Sequence, residues 1–186
     1  MAKTQYYTAT TFDGYIADEN HSLDWLFEVD RGPTGKDAFE AFLADVGAMA
    51  MGATTYEWIV EHDRLLEEPG KWRGYYGDTP CWVFAHRTLP AIAGANVFLV
   101  HGDVKPVHEQ MTRAAGEKNI WLVGGGDLVG QFADRQLLDE ILLGVAPVAL
   151  GRGAPLLPRR LTTSQLELVD VYREGQFARL TYRVRK

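Results

Sequence analysis

Short apolar runs alternate with amphipathic stretches along the chain, and this alternation predicts an α/β protein. The four apolar residues from Ile120 to Val123 predict a fully buried strand, because they leave no face for water. Lys36 to Asp45 instead places its apolar side chains on one side, at helical spacing. The strands predicted in this way are 6–12, 15–17, 47–51, 81–85, 96–100, 120–123, 140–148, 166–172 and 177–184, and the helices are 36–45, 56–68, 104–118 and 128–135.

Glycine and proline mark the predicted connections. Asp18 to Gly35, broken at Gly32-Pro33, is predicted to be a long loop, and such loops in compact domains are often functional. Pro69 to Asp78, which contains three glycines, is predicted to be a second loop. Because the last two strands follow each other closely, they predict an antiparallel hairpin at the edge of a mostly parallel sheet. We expect a single domain over residues 1–186, without internal repeats or a linker.

Three consecutive glycines follow the buried strand at 120–123. Gly124, Gly125 and Gly126 let the backbone turn out of the sheet, and Asp127 is placed to cap the following helix. The free N–H groups and the positive dipole end of such a helix favour a phosphate. The alternative is a tight turn without a ligand, since the spacing is not Gly-x-Gly-x-x-Gly and no acidic residue ends a second strand about 20 residues later.

A second strand, glycine and helix unit follows the strand at 47–51. Gly52 ends that strand, and the hydroxyls of Thr54 and Thr55 stand where the next helix begins. Two such units in one chain favour a dinucleotide, because its diphosphate and its ribose phosphate need separate anchors.

The composition narrows the possible functions. A hydrophobic content of 46%, with eight Tyr, eight Phe and five Trp, indicates a packed core and argues against disorder. The net charge of −6 argues against a nucleic-acid partner, which normally requires a basic surplus. The basic residues near the C-terminus are expected to be solvated side chains on strand faces; they are Arg173, Arg179, Arg183, Arg185 and Lys186.

No sequence feature indicates a membrane, a metal or the cell exterior. No run approaches the roughly 18 apolar residues of a membrane span, and the first residues lack the apolar core of a signal peptide. The single cysteine, Cys81, excludes an internal disulfide and favours a reducing compartment, so we expect a cytoplasmic protein. The five histidines show no pairing at metal-ligand spacing, and we expect no metal site.

Six segments occur in an order that resembles a known family. They are TATTFDGYIA, LDWL, AMAMGATTYEWI, WVFAHR, WLVGGGDLVGQF and DEILLGVAPVALGRGAPLL, and they span nearly the whole chain. The chain resembles the dihydrofolate reductase fold and, more narrowly, the stand-alone relatives of the reductase domain of riboflavin-biosynthesis proteins, the RibD C-terminal type. This resemblance implies a three-layer α/β/α fold with a mostly parallel mixed sheet and a C-terminal antiparallel hairpin.

The resemblance also implies a reduced nicotinamide cofactor, usually NADPH, with NADH not excluded. Ala9 and Ile16 would flank the nicotinamide, and a cis peptide is expected at Gly124-Gly125. The implied cofactor-binding residues are Ala9, Ile16, Gly52, Thr54, Thr55, His86, Arg87, Val123, Gly124, Gly125, Gly126, Asp127 and Leu128.

Two features depart from the family pattern: the residue after Gly52, and the segment Leu23-Asp24-Trp25, which stands where dihydrofolate reductases have L-P-W before the helix that carries their acid. The arginine that many relatives carry for the 2′-phosphate of NADPH is Ala53 here. Arg87 or His86, at the end of the next strand, is the expected replacement, because a guanidinium matches a phosphate with two hydrogen bonds. A preference for NADPH is therefore implied by the resemblance and not by a motif.

For the substrate, the chain offers several aromatic side chains and two candidates for a catalytic acid. Trp25 and Tyr56 are expected in the wall of a flat-ring pocket. Asp37 is the expected catalytic acid, with Asp30 between it and the LDWL segment, although any helix favours a negative charge where Asp37 stands. Further candidates for the wall are Phe27, Trp58 and Trp72, and candidate donors to a substrate phosphate are Arg152, Arg159 and Arg160.

Three functions remain open from the sequence. The first is an NADPH-dependent reductase of a small pyrimidine- or pteridine-like compound, similar to 5-amino-6-(5-phosphoribosylamino)uracil reductase. The second is dihydrofolate reductase proper, and the third is a non-catalytic nucleotide-binding module. Deamination is excluded, because one cysteine cannot supply the P-C-x-x-C motif of zinc deaminases. The apolar segment 142–150 and the C-terminal hairpin favour a homodimer, as is common among the relatives.

Overall fold

The structure, a computed structural model, describes residues 2–186 of the chain. Within these residues the strands are β1 (Thr4–Thr11), β2 (Tyr15–Ala17), β3 (Val46–Gly52), β4 (Cys81–Phe84), β5 (Val97–Val100), β6 (Asn119–Gly124), β7 (Glu140–Ala146), β8 (Ala154–Pro155), β9 (Leu166–Glu174) and β10 (Phe177–Val184). The helices are α1 (Asp24–Phe27), α2 (Gly35–Ala44), α3 (Ala53–His62), α4 (Gly70–Tyr76), α5 (Val104–Ala115) and α6 (Gly126–Asp134). None of these helices combines the length and the apolar character needed to cross a membrane.

Eight strands form one sheet in the order β5-β4-β3-β6-β1-β7-β10-β9. The pairings among β1, β3, β4, β5, β6 and β7 are parallel, whereas β10 runs antiparallel to both β7 and β9. The remaining strands, β2 and β8, form a small antiparallel sheet. The predicted mostly parallel sheet with a C-terminal antiparallel hairpin is confirmed.

Successive residues of β3 show why helices cover both faces of the sheet. Ala48 and Ala50 pack into one cluster with the apolar sides of α5 and α6. Met49 and Met51 pack into a second cluster with α2, α3 and α4. The alternation follows from the two-residue period of a strand, and all four side chains are at most 1% exposed. The result is the expected three-layer α/β/α arrangement.

Two predicted loops contain helices. The segment 69–78 forms α4, although its three glycines predict a loop. Trp72 explains the difference, because its side chain is 1% exposed in the core. Burial of such a side chain contributes roughly 3 kcal/mol, against a cost of roughly 1 kcal/mol for each of Gly70 and Gly74 in a helix. The predicted loop 18–35 contains the short helix α1, whose Trp25 is also buried.

The helix predicted over 56–68 is shorter at its C-terminal end. It begins at Ala53 and ends at His62. Arg64 has a φ of 53°, outside the helical range, and the chain continues from there in turns. The first turn of α3 therefore lies directly after Gly52, where the sequence places its two threonines.

Candidate functional site

A cavity of about 760 Å³ opens at the carboxyl ends of the parallel strands. Residues at the ends of β1, β3, β4 and β6 line it, together with the first turns of α3 and α6. Parallel strands bring their C-terminal ends to one edge of the sheet, which is where ligands bind in open α/β sheets. This volume lies in the range of roughly 300–1,000 Å³ that is typical of small-molecule sites.

Two helix N-termini lie next to each other at the cavity. Gly52 precedes α3 and Gly125 precedes α6, and neither helix has a side-chain cap. Because β3 pairs with β6, the two units are adjacent: a Cβ built on Gly52 would lie 3.8 Å from the amide nitrogen of Gly125. The N–H groups of both first turns and their positive dipole ends therefore converge, which suits a diphosphate.

The structure places all but one of the predicted cofactor-binding residues around this cavity. Arg87 is the exception, because its guanidinium pairs with Glu57 and its side chain is 60% exposed outside the lining. The Gly124-Gly125 peptide is cis, as expected. The predicted residues that line the cavity are Ala9, Ile16, Gly52, Thr54, Thr55, His86, Val123, Gly124, Gly125, Gly126, Asp127 and Leu128. Their binding of a cofactor stays a prediction.

Asp127 does not cap α6, and this prediction was wrong. Gly125 occupies the N-cap position, and Asp127 lies in the first turn of the helix. The Asp127 carboxylate accepts hydrogen bonds from Arg159 Nη1 and from Gln131 Nε2, each at 3.1 Å. Hydrogen bonds to Asp134 and Asp127 raise the pKa of the Arg159 guanidinium. Arg159 thus offsets the negative charge of Asp127 beside the place where an anion would bind.

Asp13 fastens the turn between β1 and β2 to the segment after β7. Its carboxylate accepts hydrogen bonds from Thr11 Oγ1 at 2.5 Å, from Gly151 N at 2.7 Å and from Leu150 N at 3.0 Å. These bonds, that from Thr11 foremost, lower the pKa of Asp13 below its ordinary value of 3.8. The turn leads into Ile16, which lines the cavity, so Asp13 stabilises one wall of the site.

Replacing Asp13 by asparagine is expected to lower the thermal unfolding midpoint at neutral pH. Since the folded-state pKa is depressed, the carboxylate stabilises fully above about pH 3.8, and this contribution is lost as the pH falls through the folded-state pKa. The difference between variant and wild type should therefore shrink below that pH, as measured by circular dichroism. An equal difference at neutral and at strongly acidic pH would contradict this role.

Polar side chains lie at the end of the cavity nearest the edge strand β5. His86 follows β4, and His101 follows β5; both line the cavity with Gln131 of α6. His101 is not among the residues predicted from the sequence. The register of the parallel pair, Phe84 opposite Val100, brings the two histidines to the same edge, and this becomes visible only once the strand order is known.

The other end of the cavity has an aromatic wall. Tyr7, Phe39 and Trp121 line it, and the Tyr7 ring stacks on Phe42 with 4.4 Å between centroids. Trp121 Nε1 donates a hydrogen bond to the carbonyl oxygen of Tyr7 at 3.1 Å, which fixes the indole. Burial raises the pKa of Tyr7, and the nearby Arg179 partly opposes this. The Tyr7 phenol therefore stays protonated at neutral pH.

Only part of the predicted aromatic wall lies in the cavity. Phe27 and Trp58 line it, as expected. Trp25 and Tyr56 do not: they are 7% and 1% exposed and belong to the core, as does Trp72. The sequence shows which aromatic residues are present, but the same residue types build cores and ring pockets.

The charged residues expected at the substrate lie outside the cavity lining. Asp37 is exposed in the first turn of α2, and Asp30 accepts a hydrogen bond from Gly32 N at 2.8 Å. Neither acid is in place to protonate a bound ring, and we assign neither a catalytic role. The expected phosphate donors also lie outside the lining, namely Arg152, Arg159 and Arg160.

Two other arginines line the cavity instead, Arg31 and Arg179. From the sequence, Arg179 is predicted on a solvated strand face, but its side chain is 13% exposed and pairs with Glu174, which is 4% exposed. Alternating polar residues along β10 predict exposure to water. The pattern fails here because Arg179 and Glu174 neutralise each other.

The remaining chemically reactive groups give no further site at this cavity. Within residues 2–186, no group of three or more His, Cys, Asp or Glu side chains is arranged to hold a metal ion. Cys81 is buried in β4, and burial raises the pKa of its thiol, which disfavours the nucleophilic thiolate.

The chain matches a known domain family along much of its length. A model of the RibD C-terminal domain matches residues 75–177. The protein YwjB of Bacillus subtilis strain 168 is 30% identical over 180 residues, which cover 97% of each chain.

Solved structures of two other proteins are similar to this fold. A protein from Shewanella sp. PV-4, provisionally described as a riboflavin biosynthesis protein, matches over 100% of both chains with a TM-score of 0.79 and 25% identity. Dihydrofolate reductase from Enterococcus faecalis, complexed with NADP(H), matches over 99% of this chain and 97% of its own, with a TM-score of 0.62 and 16% identity. The expected dihydrofolate reductase-like fold is thereby confirmed.

Proposed function

The chain belongs to the RibD C-terminal domain family, and we propose that it is an NADPH-dependent reductase. Its substrate in this proposal is a small pyrimidine- or pteridine-like compound, as for 5-amino-6-(5-phosphoribosylamino)uracil reductases. The observation that carries the proposal is the pair of adjacent helix N-termini after Gly52 and Gly125, which open into the same cavity as the aromatic wall. A diphosphate and a flat ring are the two groups that such a cavity matches.

The residues of the cavity fit a reduced dinucleotide. A Cβ built on Gly125 would meet nothing closer than Ile16 Cδ1 at 3.8 Å, so the glycine leaves space between the helix N-terminus and β2. The N–H groups of 53–55 and 126–128 would hold the diphosphate, and Ala9 would lie beside the nicotinamide. The bound cofactor supplies a hydride. The dihydrofolate reductase of Enterococcus faecalis, which shares the fold, is complexed with NADP(H).

The chain itself contributes positioning and the exclusion of water. Tyr7, Phe39 and Trp121 form a flat apolar wall against which a ring can be held near the hydride. No acidic residue of β1, β7 or β10 lines the cavity in the described part of the chain. Asp63 and Asp127 line it elsewhere, at the end of α3 and in the first turn of α6. In this proposal the proton comes from water. Riboflavin-type reduction is favoured over dihydrofolate reduction, which remains the alternative.

Titration with NADPH and, separately, with NADH tests the proposed function. Trp58 and Trp121 line the cavity, so binding is expected to quench tryptophan fluorescence and to transfer energy to the nicotinamide. We expect a micromolar or lower Kd for NADPH, and oxidation of NADPH once an aminouracil substrate is supplied. No binding of either cofactor up to millimolar concentration would refute the proposal. Binding without turnover of any pyrimidine or pteridine would instead favour the non-catalytic nucleotide-binding module.

Replacing Ala53 by arginine is expected to strengthen the binding of NADPH but not of NADH. Ala53 begins α3 and lines the cavity, so a guanidinium there can reach the 2′-phosphate that only NADPH carries. A charge-assisted hydrogen bond contributes about 1.5–3 kcal/mol, which is roughly tenfold or more in Kd. Fluorescence titration gives both constants, and Ala53→Gln is the uncharged control. Equal strengthening for NADH would contradict the placement of the 2′-phosphate.

We also propose that the protein forms a homodimer through β9. This strand lies at the edge of the sheet and pairs only with β10 among the described strands. It exposes four large apolar side chains, by 48% to 59%: Leu168, Val169, Val171 and Tyr172. An open apolar edge favours pairing with another strand. Sedimentation at micromolar protein should show a dimer that Val171→Lys dissociates, and a single sharp monomer peak for the wild type would refute it.

A further inference from the structure

Arg179 lies close to the proposed nicotinamide position, with one strand between. Arg179 of β10 is directly opposite Gly144 of β7, and Gly144 is directly opposite Ala9 of β1. Because Gly144 has no side chain, the arginine lies across β7: a Cβ built on Gly144 would be 2.5 Å from Arg179 Nη1. The guanidinium therefore lies over β7 and lines the cavity on the side of Ala9.

Glu174 fixes the guanidinium in this position. Arg179 Nε donates a hydrogen bond to Glu174 Oε2 at 2.6 Å, and Arg179 Nη2 contacts the same oxygen. The pair is largely shielded from solvent, since the two side chains are 13% and 4% exposed. The Tyr7 phenol also lies within hydrogen-bonding reach of the guanidinium. The N–H donors that neither Glu174 nor Tyr7 engages remain for a ligand.

The turn that carries this pair is fastened to the loop before α2. Gln176 N donates a hydrogen bond to the carbonyl oxygen of Asp30 at 2.9 Å. Gly175 packs so closely that a Cβ there would lie 2.4 Å from the same oxygen. The positions of Glu174 and Arg179 are thus set by backbone contacts that need no ligand.

The surroundings of Arg179 strengthen the hydrogen bonds that it makes. Its Cζ lies 5.8 Å from the centroid of the Tyr7 ring and 5.1 Å from that of Phe177. Hydrogen bonds to a charged group are stronger in such an apolar environment than in water. Among the described residues, two acidic ones line the cavity, Asp127 in α6 and Asp63 directly after α3, and neither belongs to β1, β7 or β10. The Glu174 carboxylate beside Arg179 is itself paired with the guanidinium.

We propose that Arg179 binds an oxygen acceptor on the substrate ring and thereby selects oxo-substituted rings over amino-substituted ones. The inference rests on the proposed function and deepens it, because it names the selecting residue and the substrate chemistry. A guanidinium has only N–H donors, so a carbonyl or carboxylate oxygen can accept its hydrogen bonds. An amino group on the ring would instead place its own N–H donors against those of the guanidinium. Glu174 is the positioning residue that orients the guanidinium.

Two rings of the same shape test this selection. 6-Aminouracil and 2,4,6-triaminopyrimidine share one ring size and substitution pattern, but carry oxygens or amino groups at positions 2 and 4. Their ring nitrogens differ accordingly, as N–H donors in the first and as acceptors in the second. Calorimetry with NADPH-saturated protein is expected to show that the wild type binds 6-aminouracil about tenfold or more tightly than the triamine. Arg179→Gln should abolish this preference and leave the Kd of NADPH unchanged. Orotate, which carries a carboxylate as well, shows whether a carboxylate or a ring carbonyl is the acceptor.

Three further variants separate recognition from folding. Arg183→Gln, on the same strand but 56% exposed and paired with Glu167, is the matched control and should keep the preference. Because Arg179→Gln leaves Glu174 buried without its partner, the double variant Glu174→Gln/Arg179→Gln provides a neutral pair and should also lose the preference. Glu174→Gln alone should reduce the preference without changing the Kd of NADPH, which marks it as a positioning residue.

Several results would overturn the inference. They are equal binding of the two rings by the wild type, a preference retained in both Arg179 variants, or no binding of either ring at millimolar concentration. Repeating the ring titrations without NADPH separates this inference from the proposed function. If NADPH does not bind but the preference still depends on Arg179, the reductase proposal fails, whereas the recognition of an oxo-substituted ring by Arg179 is retained.

Discussion

Replacing Gly125 by valine is expected to weaken NADPH binding by about 100-fold or more, roughly 2.8 kcal/mol, while the fold is retained. Gly125 has a φ of −78°, which any residue can adopt, and a Cβ there would meet nothing closer than Ile16 Cδ1 at 3.8 Å. The folded chain thus has room for a Cβ at this position. The methyl groups of the valine would fill the space beside the N-terminus of α6, where the diphosphate is proposed to bind.

Fluorescence titration and thermal unfolding together decide this prediction. Gly70→Val is the matched control, because Gly70 begins α4 outside the cavity lining and a Cβ there meets nothing within 4 Å. It should leave the Kd of NADPH unchanged and should not lower the unfolding midpoint. If Gly125→Val had the same unfolding midpoint and the same Kd for NADPH as the wild type, Gly124 to Gly126 would only form a tight turn. That is the alternative that the sequence leaves open for Gly124 to Gly126.

The parts of the fold that sequence could predict are those set by local pattern. The strands β3 and β6 each contain a run of consecutive apolar residues, and the hairpin β9–β10 alternates along its length, so their existence follows from the chain itself. Helix α4 could not be predicted in this way. Its glycines disfavour a helix, and the tertiary burial of Trp72, which no local pattern records, stabilises it.

The same distinction applies to the candidate site. The glycine units after β3 and β6 are local features, and the sequence therefore locates both sides of the proposed diphosphate site. The cavity position of Arg179 instead depends on Glu174, on the missing side chain of Gly144 and on the strand order β1-β7-β10. When the strand order is not known, an arginine on a strand with alternating polar residues is expected to be exposed to water.

Replacing Gly126 by alanine is expected to destabilise the folded protein by about 3 kcal/mol. A Cβ on Gly126 would lie 2.4 Å from the carbonyl oxygens of both Pro155 and Leu156. These are backbone atoms, which cannot rotate away as the end of a side chain can. Helix α6 and the β8 segment must therefore move apart, which loosens the packing of Leu128 and Val129 beneath them. Overpacking of a core typically costs about 1–3 kcal/mol, and a backbone clash belongs at the upper end.

Gly130→Ala, in the same helix, is the matched control for Gly126→Ala. There the Cβ would lie 2.7 Å from Arg159 Cζ, 2.8 Å from its Nε and 2.9 Å from its Cγ. The Arg159 side chain must shift and its hydrogen bonds to Asp127 and Asp134 weaken, but the atoms in the way belong to a side chain and not to the backbone. Replacing a helical glycine by alanine also gains about 1 kcal/mol of helix propensity, so we expect a nearly neutral change. Urea unfolding gives the free energies of both variants. Equal stability of the two would contradict a tight contact between α6 and β8. A loss confined to Gly126→Ala would show that neighbouring glycines have different roles: Gly125 leaves space for a ligand, whereas Gly126 allows β8 to close the wall of the cavity.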